Sequence, residues 1–120
     1  MKYNREESFR FNFNPPFPGH FTITRMNGLQ GMSKMGKMEI LDLSPGGVKF
    51  QSHLELPVNQ DTAFSLSFTL NEENELILPG SIIWKQKKLN HYHYGFDIAE
   101  DAEKKDMIIQ ELKKFRKSRL

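Results

Sequence analysis

Apolar residues in most of this chain recur at every second position, in short runs separated by turn-forming residues. That period belongs to β-strands, whose side chains point alternately to opposite faces, and it excludes a bundle of helices. Phe9, Phe11 and Phe13 alternate with Arg10, Asn12 and Asn14, marking a half-buried strand. Pro15-Pro16-Phe17-Pro18-Gly19 is expected to stop it, because proline has no ladder donor. A second strand is read over 20–26, with Phe21 and Ile23 inward, and residues 27–36, with three glycines, as a flexible connection. Lys37 to Leu43 is the third strand, ended by Ser44-Pro45-Gly46-Gly47, and Val48 to Ser52 is the fourth. In residues 63–70, Phe64, Leu66, Phe68 and Leu70 share one face. Asn71-Glu72-Glu73-Asn74 then turns the chain into a long strand, Glu75 to Lys87, in which Pro79-Gly80 is expected to make a bulge or bend. The last strand runs from Tyr92 to Ile98.

The period then changes. Ile108, Leu112 and Phe115 recur at i, i+4 and i+7, with Met107 and Ile109 beside them, which predicts an amphipathic helix over 101–117. Glu100 or Asp101 suits its start, and its basic end suits the negative pole of the helix dipole. Six or seven short strands and one terminal helix argue a mainly β fold: a small antiparallel barrel closed or capped by the helix. At 120 residues the chain is expected to be a single domain, with a flexible segment over 1–8, the barrel over 9–99 and the helix over 100–118.

Charge narrows the function. The net charge is +2, but Lys113, Lys114, Arg116, Lys117 and Arg119 hold five of the 17 basic residues. Residues 1–112 set 12 bases against 15 acids, a charge of −3. Such a body is a poor sequence-blind binder of nucleic acid, which needs a basic face to displace counterions. Cysteine is absent, so disulfides, thiolate metal sites and a cysteine nucleophile are excluded together. No apolar run spans a bilayer and the N-terminus lacks the apolar stretch of a signal peptide, so a cytoplasmic location is expected.

The most specific local pattern is Asp42-Leu43-Ser44-Pro45-Gly46-Gly47, of the form Asp-x-Ser-x-x-Gly, where one strand ends and the next begins. Asp and Ser side chains there can contact a polar ligand edge, and the glycines allow positive φ and close approach. The same residues also read as a hairpin turn whose Asp bonds its own backbone.

With these features the chain resembles the PilZ family. The resemblance runs from about Arg5 to the terminal helix. It rests on the Arg-bearing N-terminal segment, the Asp-x-Ser-x-x-Gly turn, the strand Ser81-Ile82-Ile83-Trp84, the strand Tyr94-Gly95-Phe96 and the closing helix. It implies a six-stranded barrel and a bacterial receptor for cyclic di-GMP, with Arg5, Arg10, Asp42, Ser44, Gly46 and Gly47 at the ligand. Arginine's charged planar fork suits phosphate oxygens and the O6/N7 edge of guanine, and it stacks on a base. Asp42 can accept from guanine N–H groups, Ser44 can add a hydroxyl contact, and Gly47 keeps a Cβ out of the way. One departure stands out. The family motif is Arg-x-x-x-Arg, and here Arg5 and Arg10 are five apart, so Glu6 falls where the first arginine belongs if Arg10 is the second. A carboxylate there would repel the ligand's phosphates. The alternative is therefore a degenerate PilZ adaptor that acts by protein contact alone. The resemblance implies no cofactor and no enzymatic activity. It makes an unidentified protein partner plausible, in motility, adhesion or exopolysaccharide machinery.

Other features have plain readings. His91 and His93 share one strand face without a third ligand at metal spacing and read as a surface turn. No phosphate loop, dinucleotide fingerprint or nucleophile–base pattern occurs. Trp84, two residues from Ile82, reads as core. The stretch 26–38, with four of the six methionines, reads as a surface loop or an adaptable apolar contact. The tail 113–120 reads as a solvated helix end, or as a weak patch for an acidic partner or a membrane surface.

Overall fold

The computed structural model describes residues 10–31 and 35–119; the expected flexible segment 1–8 lies outside them, as do Arg5 and Phe9. Seven strands and one helix follow in order: β1 (Phe11–Met26), β2 (Leu29–Gln30), β3 (Gly36–Ser44), β4 (Gly47–Ser52), β5 (Ala63–Phe68), β6 (Leu76–Lys87), β7 (Tyr92–Ile98) and α1 (Ala102–Lys117). All pairings are antiparallel. The sheet runs β2-β1-β3-β4-β7-β6-β5, and β5 pairs back on β1, which closes six strands into a barrel and leaves β2 as a short hairpin extension. Closure removes the sheet edges that would otherwise invite pairing with other chains. No helix among the described residues is long and apolar enough to cross a membrane.

The alternating residues meet inside the barrel. Ile40, Leu43, Phe50, Leu66, Leu76, Leu78 and Tyr94 are fully buried, and α1 contributes Ile108, Leu112 and Phe115. Phe115 closes one end of the barrel by packing against Phe11, Phe13 and Phe17, with ring centroids 5.4–5.7 Å apart. Asp101, one of the two starts the sequence offers, caps the helix by accepting from the Lys104 N–H.

Five local expectations are corrected. The prolines do not end the first strand: β1 runs through them as one 16-residue element, and its register against β3 slips between Asn12 and Phe17. Among the described residues β1 pairs over 11–19 with β3 alone, since pairing with β5 starts at His20, so the missing proline donors cost little. Residues 27–36 are not merely a connection. Asn27 and Gly28 have φ of 51° and 79° and join Met26 to Leu29 as a two-residue hairpin turn, the preferred use of Asn-Gly. Met38, from the methionine-rich stretch, is core. Pro79 and Gly80 keep unbroken register with Ser65 and Phe64, and the bulge falls instead between Ile82 and Trp84. That extra residue shifts the period by one. Ile82 therefore points inward and Trp84 outward, where it is 40% exposed instead of lying in the core.

Candidate functional site

The Asp-x-Ser-x-x-Gly segment is the β3–β4 hairpin. Ser44 and Gly47 are Cα partners, so Pro45 and Gly46 form its two-residue loop, and the Ile98 N–H donates to the Gly46 carbonyl at 3.1 Å. The Ser44 side chain is buried, and its hydroxyl lies 3.4 Å from the Gly47 carbonyl, to which it donates. Ser44 therefore closes the turn from inside. The positive-φ glycines of the chain are Gly28 and Gly31, and the expectation of positive φ at Gly46 and Gly47 is not met. Pro45 holds the first loop position near −65° and Gly47 is already strand, so no left-handed residue is required there. Gly47 is needed for space, since a Cβ would sit 3.0 Å from the Phe96 carbonyl.

Asp42 behaves differently. It faces outward on β3, 13% exposed, and its Oδ2 lies 3.4 Å from Nη1 of Arg10, whose side chain is 43% exposed. The structure thus brings Arg10, Asp42 and the 44–47 turn together at the barrel end that α1 caps, while Arg5 lies outside the described residues.

The register adds residues that sequence reading missed. Asn12 is the Cα partner of Asp42, Asp42 of Lys49, Lys49 of Gly95, and Gly95 of Trp84. Partners across a pleated sheet share a face, so these five residues form one outward row over β1, β3, β4, β7 and β6. The row sets an amide, a carboxylate and an ammonium side by side, and then a glycine beneath an exposed indole. Any Cβ on Gly95 would collide with the Trp84 ring, so the glycine lets the indole lie flat on the barrel wall. The signal for this row is a pairing register, which is legible only once the strands are aligned.

At the opposite end, His91 stands between His53 and His93, with ring centroids 6.3 and 5.3 Å away. Burial, then Lys88, Lys49 and His91, hold the His93 ring below the usual histidine range. Among the described residues no three His, Cys, Asp or Glu side chains converge on a point that could hold a metal ion.

The model of the PilZ domain matches residues 4–115. The chain belongs to the PilZ domain family. That match covers the hairpin, the outward row and nearly all of α1. Three solved structures of PilZ proteins share the fold. The PilZ domain of YcgR from Escherichia coli, solved with c-di-GMP, is 14% identical, with a TM-score of 0.64 over 98% of this chain and 97% of that one. The PilZ domain of CeSA from a cellulose-synthesizing bacterium is 18% identical, with a TM-score of 0.53 over 89% and 97% of the two chains. A tetrameric PilZ domain from Xanthomonas campestris, self-assembled through a helical bundle, is 14% identical with a TM-score of 0.55. That match covers 75% of this chain, which spans about half of the other, 49%. No curated protein sequence matches the chain.

Proposed function

We propose that this PilZ domain is a non-enzymatic receptor for cyclic di-GMP that passes the signal to a protein partner. The observation that carries this reading is Asp42, set in the outward row between Asn12 and Lys49 and ion-paired to Arg10. A cyclic dinucleotide presents two phosphates and two guanines. Arg10 and Lys49 supply cations for the phosphates, joined by Arg5 from the N-terminal segment. Asp42 accepts from guanine N–H groups, and the Trp84 indole offers a face for a base. Ser44, Gly46 and Gly47 hold the turn beside Asp42 in shape, Gly47 keeps a side chain out of the ligand's way, and Gly95 makes room for the Trp84 indole. Binding draws the Arg5-bearing segment onto the ligand, which makes a new surface for a partner, of a motility, adhesion or exopolysaccharide system, in the cytoplasm. No cofactor enters this reading.

Titration calorimetry with cyclic di-GMP tests it, with fluorescence of the single tryptophan as a second signal. The parent should bind, and Arg10→Ala or Asp42→Ala should abolish binding. No heat at high micromolar ligand refutes the proposal.

One feature favours a second reading, the degenerate adaptor that works by protein contact alone: Glu6 stands where the family motif carries arginine. In that case the parent gives no signal and Glu6→Arg creates one. A parent that binds tightly rules it out.

A further inference from the structure

The last two turns of α1 carry more positive charge than a helix end requires. The dipole leaves roughly half a negative charge at a helix C-terminus, which one or two cations offset. Here five basic residues fall within positions 113–119. Lys113 and Lys117 are four apart and Lys113 and Arg116 three apart, so like charges stack along the helix at spacings that destabilise it, and Arg119 follows just past its C-cap. Lys114 reaches Glu111 at 3.6 Å, and the Arg119 guanidinium lies 4.2 Å from the centre of the Phe115 ring. No carboxylate among the described residues lies within ion-pair distance of Lys113, Arg116 or Lys117. An array of like charges with no counterion among the described residues is suited to an anion from outside.

That array lines a cleft. Among the described residues its walls are Gln110, Lys113, Lys114, Arg116, Lys117 and Arg119, with Phe11 opposite, and its volume is about 720 Å³, within the range of small-molecule sites. Cations for phosphate, an aromatic ring edge and one amide for a base edge are the components of a nucleotide site. The cleft lies at the same end of the barrel as the site described above. Phe11 stands between Arg10 and Asn12 in the chain, and its Cα partner, Leu43, stands between Asp42 and Ser44. Phe11 packs edge-on against Phe115 at 5.5 Å, which fixes the helix end beside the hairpin.

We propose that this cleft is a second anion subsite of the same receptor and takes a phosphate of the bound cyclic dinucleotide through Lys113, Arg116 and Lys117. The inference rests on the cyclic di-GMP reading above. It gives the chain a source of positive charge that does not depend on the motif position held by Glu6. The helix C-terminus then serves as both the lid of the barrel and part of the binding surface.

The test compares the parent with a Lys113→Gln, Arg116→Gln, Lys117→Gln triple variant and a charge-matched Lys37→Gln, Lys87→Gln, Lys88→Gln control at the opposite end of the barrel. Glutamine keeps helix propensity, and circular dichroism checks that each variant folds. Calorimetry with cyclic di-GMP at low and high salt should show the triple variant weaker by about tenfold or more and less sensitive to salt, with the control unchanged. A triple variant that binds like the parent overturns the subsite and leaves the receptor reading standing. A parent that binds nothing overturns both. Anionic phospholipid vesicles that bind the parent and not the triple variant, with nucleotide affinity equal in both, reassign the patch to a membrane surface and also overturn it.

Discussion

Glu111 holds α1 to the barrel, and its removal has a calculable cost. The residue is 4% exposed, in the middle of the helix face that packs down. Its Oε1 accepts from the Asn71 side-chain amide at 2.8 Å and its Oε2 from Asn74 at 3.2 Å, and Asn71 also donates to the Glu111 carbonyl at 3.0 Å. A single buried carboxylate thus ties the helix to the β5–β6 turn. Burial pushes the Glu111 carboxyl up, but the Asn71 and Asn74 hydrogen bonds and the Lys114 ammonium outweigh it and hold the group below its ordinary value of 4.5. In Glu111→Ala, Asn74 loses its carboxylate acceptor, whereas Asn71 keeps the backbone carbonyl. Hydrogen bonds to charged groups are each worth about 1.5–3 kcal/mol, and alanine returns a few tenths through helix propensity, so the net loss is about 3 kcal/mol. For a domain of this size that lowers Tm by roughly 10 °C. Glu111→Gln keeps one acceptor but turns an N–H₂ toward a donor, and should cost about 1–2 kcal/mol at neutral pH.

The pH dependence follows from the lowered pKa. The contribution of Glu111 is fully present above the carboxylate's unfolded value and is lost as pH falls through the lower folded value. The gap between the parent and Glu111→Gln should therefore close in acid, where both side chains are neutral. Thermal or urea unfolding across that range measures it. A Glu111→Ala variant within about 1 kcal/mol of the parent at neutral pH, or a parent–Gln gap that stays constant into acid, refutes the reasoning.

Three further outcomes are expected. Tyr94 is fully buried, donates to the Leu54 carbonyl at 2.7 Å and accepts from the Leu56 N–H at 2.8 Å, so Tyr94→Phe should cost about 2 kcal/mol in urea unfolding. Burial, opposed by the Leu56 hydrogen bond, pushes its phenol up, so an alkaline absorbance titration of the parent should show one tyrosine ionising late, and Tyr94→Phe should remove that step. Gly95→Ala places a methyl into the Trp84 ring and should cost about 1–3 kcal/mol, most of it relieved in a Trp84→Ala, Gly95→Ala double variant. Phe115→Ala removes the ring shared by Phe11, Phe13 and Phe17 and should cost about 3–5 kcal/mol, with exposed apolar surface reported by dye binding.

Strand existence and the helix were legible because periodicity reports burial directly. Tyr92–Ile98 and the Asp101 cap stand where the sequence places them. What escaped depends on pairing. A bulge adds one residue to one strand, and nothing in Ser81-Ile82-Ile83-Trp84 marks which residue is extra, so Trp84 read as core. The prolines of β1 looked like a stop because proline forbids pairing on its N–H side, and only topology reveals that one side has no strand partner there among the described residues. The Asn27-Gly28 turn was legible in principle, since that dipeptide favours two-residue hairpins, but three glycines in ten residues masked it.

The candidate site divides the same way. The sequence alone determines the barrel class, the capping helix, the Asp-x-Ser-x-x-Gly turn and the family resemblance, because local chemistry and spacing carry them. It also shows five cations within 113–119, but only as a solvated helix end or a weak patch for an acidic partner or a membrane surface. Tertiary structure decides that Asp42 sits between Asn12 and Lys49, that Ser44 turns inward, and that Trp84 lies over Gly95. It also sets the basic helix end across a cleft from Phe11, a hundred residues earlier in the chain. Strand register and barrel closure join residues far apart in sequence, and no local pattern encodes which of them become neighbours.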